Sequence, residues 1–132
     1  MKITIETIDH NRQRYNTVGD WLYDPDLDEL TIFVSKQETF QYELAVGVHE
    51  LVEAVLCIND GVSQKDVDAF DFSLPKNLED EPGDLPDAPY ANQHCIATGI
   101  ERLLIACFGL QWKPYDDGIV KLSNNYRKGK VQ

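Results

Sequence analysis

The sequence predicts a single α+β domain, a small antiparallel N-terminal sheet packed on two long buried helices. Three observations predict it. The first 35 residues alternate apolar and polar side chains as half-buried strands do. Residues 45–58, "AVGVHELVEAVLCI", are almost wholly apolar over a length that suits a helix. Residues 94–108, "HCIATGIERLLIACF", repeat that design further along the chain. With 132 residues, 42% hydrophobic and 27% charged, the chain can bury one core without disulfides or other staples.

In residues 1–35, "KITIETID" sets Ile3, Ile5 and Ile8 among polar neighbours, "DWLYD" is aromatic, and "ELTIFVS" is β-branched. Gly19-Asp20 and "DPDLDE" (24–29) supply turn chemistry, so three strands ending near Ser35 are expected. "SKQE" reads as a capping box, Ser35 as N-cap and Glu38 three residues on, which opens a helix over 36–60. Gly61 in "NDG" can end it in the left-handed conformation. Ser63 can cap a short helix over 62–72. Residues 73–89 hold four prolines, one glycine and an acid run, and are expected to form an irregular acidic lid loop. A second long helix spans 90–109 and stops at Gly109, and residues 121–132 are read as a solvated basic tail.

Charge excludes one class of partner. The net charge is −11, and the last twelve residues carry Lys121, Arg127, Lys128 and Lys130 with no acid, which leaves −15 for the rest. Such a body repels phosphate backbones, so nucleic acid is not an expected partner. No apolar run approaches the roughly 20 residues of a membrane span, and "MKITIETID" lacks the apolar centre of a signal peptide. Cys57, Cys95 and Cys107 are odd in number, sit in apolar segments and show no C-x-x-C spacing, so buried reduced thiols and a cytoplasmic location are expected.

The apolar helices raise a chemical question. From Leu44 to Ile58 the ionisable residues are His49, Glu50 and Glu53. A helix that is apolar nearly all round is expected to be buried, and a buried unpaired charge costs several kcal/mol. These groups must therefore be neutral, paired or bound to a metal. At about 100° per residue His49 and Glu53 lie one above the other with Glu50 on their flank. On the second helix His94, Thr98 and Glu101 form one narrow stripe with Arg102 at its edge. Two buried helices satisfy such stripes most simply by facing each other across a site.

The spacing of His49 and Glu53 suits metal ligation, and Glu50 falls where H-E-x-x-H enzymes place their general base. His94 can complete a two-histidine, one-carboxylate set, the ligand chemistry of a catalytic Zn2+ with an open fourth position. Glu101 and Arg102 would orient His94 or balance charge, and Asp71 in "DVDAFDF" is a replacement or extra ligand. The competing reading is a satisfied buried salt-bridge network, Glu53 with Arg102 for instance, that keeps the helices in register.

The runs "YELAVGVHELVEAVLC", "VDAFD", "EPGDLPDAPYANQHCIATGIERLL" and "WKPYD", with the opening "TVGDWLYD", resemble a family of small uncharacterised proteins of tailed bacteriophages and prophages. The resemblance implies a compact zincin-like metalloprotein, through His49, Glu50, Glu53 and His94, and a host-cell cytoplasmic location. H-E-x-x-E in place of H-E-x-x-H departs from the proteolytic motif. The leading expectation is a zinc-dependent, peptidase-like hydrolase acting on a peptide or protein. A magnesium-dependent nucleotide hydrolase using Glu50, Glu53 and Glu101 is the alternative, as is a non-enzymatic acidic phage protein that binds a host protein.

Overall fold

Leu30, Ile32 and Val34 alternate with Thr31 and Phe33, and the first three are entirely buried. Removing each from water stabilises the fold by about 1.5–3 kcal/mol, so their strand takes the middle of the sheet. The computed structural model describes residues 1–75, 78 and 80–126. It is α+β: strands β1 (Lys2–Ile8), β2 (Gly19–Asp24) and β3 (Glu29–Ser35) are followed by helices α1 (Phe40–Asp60), α2 (Gln64–Ser73), α3 (Ala91–Cys107) and α4 (Trp112–Asn125). No helix among the described residues is long and apolar enough to cross a membrane.

The sheet is mixed, not antiparallel. β2 and β3 pair antiparallel from Gly19↔Val34 to Asp24↔Glu29, around a turn in which Asp24 Oδ1 accepts from the backbone of Asp26 and Leu27. β1 lies on the other side of β3 and runs parallel to it, from Lys2↔Glu29 to Ile8↔Ser35. The reason is the link between β1 and β2. It is too long for a tight hairpin and carries a 3₁₀ turn, His10–Arg12, across the end of the sheet. His10 and Gln13 are buried there against Ser35, whose hydroxyl lies 2.8 Å from His10 Nδ1 and accepts from Gln13 Nε2 at 3.1 Å.

That engagement displaces the expected capping box. Ser35 ends β3, and Thr39 caps α1 instead by accepting from the Tyr42 backbone N–H. Gly61 does end α1 in the left-handed conformation, with φ 74°, and Ser63 does cap α2. Gly47 lets α1 lie close on the sheet, since a β-carbon there would sit 3.2 Å from Ile5 Cγ2 and 3.5 Å from Val34 Cγ2.

Neither long helix is buried all round. α1 buries Ala45, Val46, Gly47, His49, Glu53, Ala54 and Cys57 but exposes Leu44 and Val55. α3 buries Gln93, His94, Ala97, Glu101 and Ile105 and turns Ile96, Ile100 and Leu103 outward. The helices pack against each other along the faces that carry their polar stripes, so part of the apolar set is left outside. Cys57 is buried as expected, whereas Cys95 and Cys107 are exposed.

α4 adds a helix beyond the two long ones that the sequence predicts. Pro114 sits in the first turn, where a backbone N–H has no intrahelical partner to lose. Residues 121–125 of the expected basic tail belong to this helix, and residues 127–132 lie outside the described residues. Of the expected lid, residues 76, 77 and 79 also lie outside them, and Pro82–Asp84 form a 3₁₀ turn packed on α3.

Candidate metal centre

One helical turn separates His49 from Glu53 on α1, and α3 brings His94 against both. His49 Nε2 lies 3.3 Å from Glu53 Oε2, His94 Nδ1 lies 2.9 Å from the same oxygen, and the two nitrogens are 3.2 Å apart. Each of the three residues is 5% exposed. Tetrahedral zinc with bonds of about 2.0–2.1 Å holds its ligand atoms roughly 3.3–3.4 Å apart. The three atoms therefore form one slightly compressed face of such a tetrahedron, and they supply no fourth vertex.

The surroundings aim these atoms. Glu101 Oε1 lies 2.8 Å from His49 Nδ1, so a proton held there leaves Nε2 turned to the centre. Glu101 is in turn held by the hydroxyl of Tyr115, a fully buried residue of α4. Trp21 Nε1 of β2 donates to Glu53 Oε1 at 3.1 Å and leaves Oε2 to face the histidines. The His49 and His94 rings meet edge to face, with centroids 4.7 Å apart. Gly83 closes over His94: a β-carbon at Gly83 would be 2.3 Å from the ring's Cγ.

Electrostatics make the cluster uneasy as a proton network. Burial disfavours the charged form of His49, but hydrogen bonds to Glu101 and Glu53 outweigh it and push the pKa up to about 11. Burial likewise opposes charge on His94, and the carboxylates of Glu53 and Glu81 push it up to about 10. Burial raises Glu53, but the two imidazoles hold it down at about 2. Yet both inner nitrogens point at one oxygen, and protons on both would confront each other across 3.2 Å. A cation between them would satisfy all three atoms at once. Two buried polar atoms on the same side of α3, His94 Nε2 and Thr98 Oγ1, have no hydrogen-bond partner among the described residues.

Glu50 stands beside these atoms without joining them. Its side chain lies against Gly19 of β2, where a β-carbon would come within 2.5 Å of Glu50 Cγ. Burial raises its pKa well above the usual carboxylate range, and the charge of Glu53 raises it further. No hydrogen bond to its carboxylate occurs among the described residues. Glu50 is half-buried, and a carboxyl of raised pKa beside a candidate metal centre is a candidate acid or base.

Two expected participants have other roles. Arg102 is exposed and lies over the Trp112 ring, 4.2 Å from its centroid, because α3 turns it away from the stripe. It neither orients His94 nor pairs with Glu53. Asp71 is buried, but its two oxygens accept from the Tyr15 and Tyr90 hydroxyls at 2.9 and 2.6 Å, which occupies it as a phenol anchor and not as a ligand. Trp21, Tyr115, Gly19 and Gly83 escape a sequence reading. All four approach the centre from other elements, and only the two glycines, one opening β2 and one in the Pro82–Asp84 turn, hint at a close approach.

A cleft of about 640 Å³ lies elsewhere, lined by Asp9, His10, Arg12 and Lys36 among others. The cluster itself is closed over by the Pro82–Asp84 turn. Comparisons with protein-family models, with curated proteins and with solved structures find no match, so the reading of this centre rests on its own geometry.

Proposed function

We propose that the protein is a zinc-dependent, peptidase-like hydrolase whose metal is held by His49 Nε2, Glu53 Oε2 and His94 Nδ1. One observation carries the reading: three buried donor atoms spaced as a face of a zinc tetrahedron, with no fourth protein donor grouped with them among the described residues. A zinc ion there supplies a water whose pKa falls towards neutrality. With an ion held there, Glu50 would be the group placed to take a proton from its water, because the ion's positive charge would counter the rise that burial gives this carboxyl. Glu101, Tyr115 and Trp21 keep the ligands turned inward. β2, which carries Gly19 and Trp21, is an edge strand of the sheet, so an extended peptide substrate could pair along it.

The donor set separates this reading from a magnesium-dependent nucleotide hydrolase. Two imidazoles and one carboxylate suit a borderline transition metal, whereas magnesium takes oxygen. Glu101 is turned to His49 and Tyr115, which removes one of the three carboxylates that reading needs. No observation favours a purely acidic binding surface.

The test is elemental analysis by mass spectrometry of untagged protein dialysed against zinc and then against metal-free buffer. About one zinc per chain is expected. A chain that holds none is a buried His–Glu network and not an enzyme of this class.

A further inference from the structure

His94 has a second nitrogen, and its surroundings are as specific as those of the first. Nε2 is buried and has no hydrogen-bond partner among the described residues. Asp84 Oδ1 is 3.1 Å from it and Glu81 Oε2 is 3.3 Å away, but neither meets it in hydrogen-bond geometry. The two acids flank Gly83, whose backbone lies on the ring. Asp84 N donates to Glu81 O at 3.0 Å, and in such a 3₁₀ turn side chains three residues apart stand side by side. Both carboxylates are half exposed, so their outer lone pairs and the space between them open to water.

We propose that His94 Nε2, Glu81 and Asp84 form a second, outer site for a divalent transition-metal ion, at the solvent edge of the buried cluster. One imidazole nitrogen, two carboxylates and water are a donor set for zinc or manganese. The outer site does not depend on the inner one being a metal centre, because it uses a different nitrogen and different acids. A neutral imidazole has one lone pair, which links the two positions. With an ion at Nε2, the proton sits on Nδ1 and Glu53 Oε2 accepts it at 2.9 Å. With an ion at Nδ1, the proton sits on Nε2, between Glu81 and Asp84. The ring therefore holds one ion at a time, in either place, and the outer position is the one that solvent reaches.

Titration calorimetry with zinc alone, on untagged protein, separates the two sites. Wild type and Glu81→Gln/Asp84→Asn each bind one zinc, the latter through the inner atoms. His49→Ala still binds one zinc, more weakly, through the outer atoms. Adding Glu81→Gln and Asp84→Asn to His49→Ala abolishes binding, as His94→Ala does alone. Circular dichroism checks folding, and His49→Gln replaces His49→Ala should the latter unfold. The outer site is overturned if the His49 variant binds no zinc, or binds it equally well with both acids replaced. Loss of zinc from Glu81→Gln/Asp84→Asn, with binding kept in His49→Ala, sinks the inner site instead and leaves the outer one standing.

Discussion

Gly83 packs its backbone so tightly against the imidazole of His94 that a β-carbon would stand 2.3 Å from the ring's Cγ and 2.5 Å from Nδ1. The atom crowded by that missing methyl is the one that faces Glu53 and His49. A glycine in the 80s loop thus sets where a helix-borne nitrogen points. Gly83→Ala must push the ring or the turn aside, at a cost of about 1–3 kcal/mol in stability. Zinc affinity should fall by roughly 10–100-fold, as when other supports of a ligand are removed. Calorimetry on a folded variant decides it, and an unchanged affinity would mean that the turn gives way and the ring does not.

Tyr115 is the far end of a chain that runs through Glu101 to His49. Tyr115→Phe keeps the ring contacts with Tyr42 and Trp112 but strips Glu101 of a donor. Leaving that buried carboxylate oxygen short of a partner should cost about 1–3 kcal/mol in urea unfolding. Zinc binding should weaken by roughly 10–100-fold as His49 loses its orientation. A variant as stable as wild type, with full zinc affinity, would show that the hydroxyl contributes nothing.

Zinc must displace protons. In the metal-free protein the carboxylates of Glu101 and Glu53 push His49 up to about 11, and those of Glu53 and Glu81 push His94 up to about 10, against about 6.5 in the unfolded chain. Because these pKa values are raised, their contribution to stability is full below about 6.5 and is lost as pH rises through about 10 to 11. At pH 7 the cluster holds protons that zinc cannot share, so each ion should release between about one and two. Calorimetry in buffers of different ionisation enthalpy counts them. Affinity should fall as pH is lowered, and release of none would contradict ligation by these nitrogens.

Asp71 offers a pH test at a carboxyl outside the three donor atoms. Burial pushes its carboxyl up to about 6 although Tyr90 and Tyr15 donate to it. A raised carboxyl stabilises the fold at low pH, fully below about 4, and that contribution is lost as pH rises through about 6. Asp71→Asn removes the titration. The stability of wild type relative to Asp71→Asn should therefore improve between pH 7 and pH 4.5, measured by urea melts in chelator. A constant difference would show that Asp71 titrates normally.

Glu50→Gln keeps shape against Gly19 and removes the base. It should fold and bind zinc as wild type does, while any hydrolysis falls by about 100-fold or more. If it loses zinc, Glu50 is a ligand, and if activity survives intact, another group takes the proton.

Much of the centre was legible because helical periodicity is a local rule. His49 and Glu53 share a face at a four-residue spacing in any α-helix, and His94, Thr98 and Glu101 share one for the same reason. Placing Arg102 took more than the wheel. It lies only one step from Glu101, and whether it turned to Glu53 or to Trp112 depended on where α4 packs. Nor does local pattern place Asp71, whose two oxygens accept from Tyr15 and Tyr90, both from distant segments.

By itself, then, the sequence determined that two helices would each carry a polar stripe, though not that each would also expose part of its apolar surface, that Gly61 and Ser63 would break the chain between α1 and α2, and that residues 1–35 would make a three-stranded sheet. These follow from side-chain period and backbone freedom within a few residues. The tertiary structure alone decided that β1 would run parallel to β3, that Trp21 and Tyr115 would aim the ligands, and that Gly19 and Gly83 would admit Glu50 and His94. Each of those joins residues far apart in the chain, where excluded volume and buried hydrogen-bond demand, not local pattern, choose the partner.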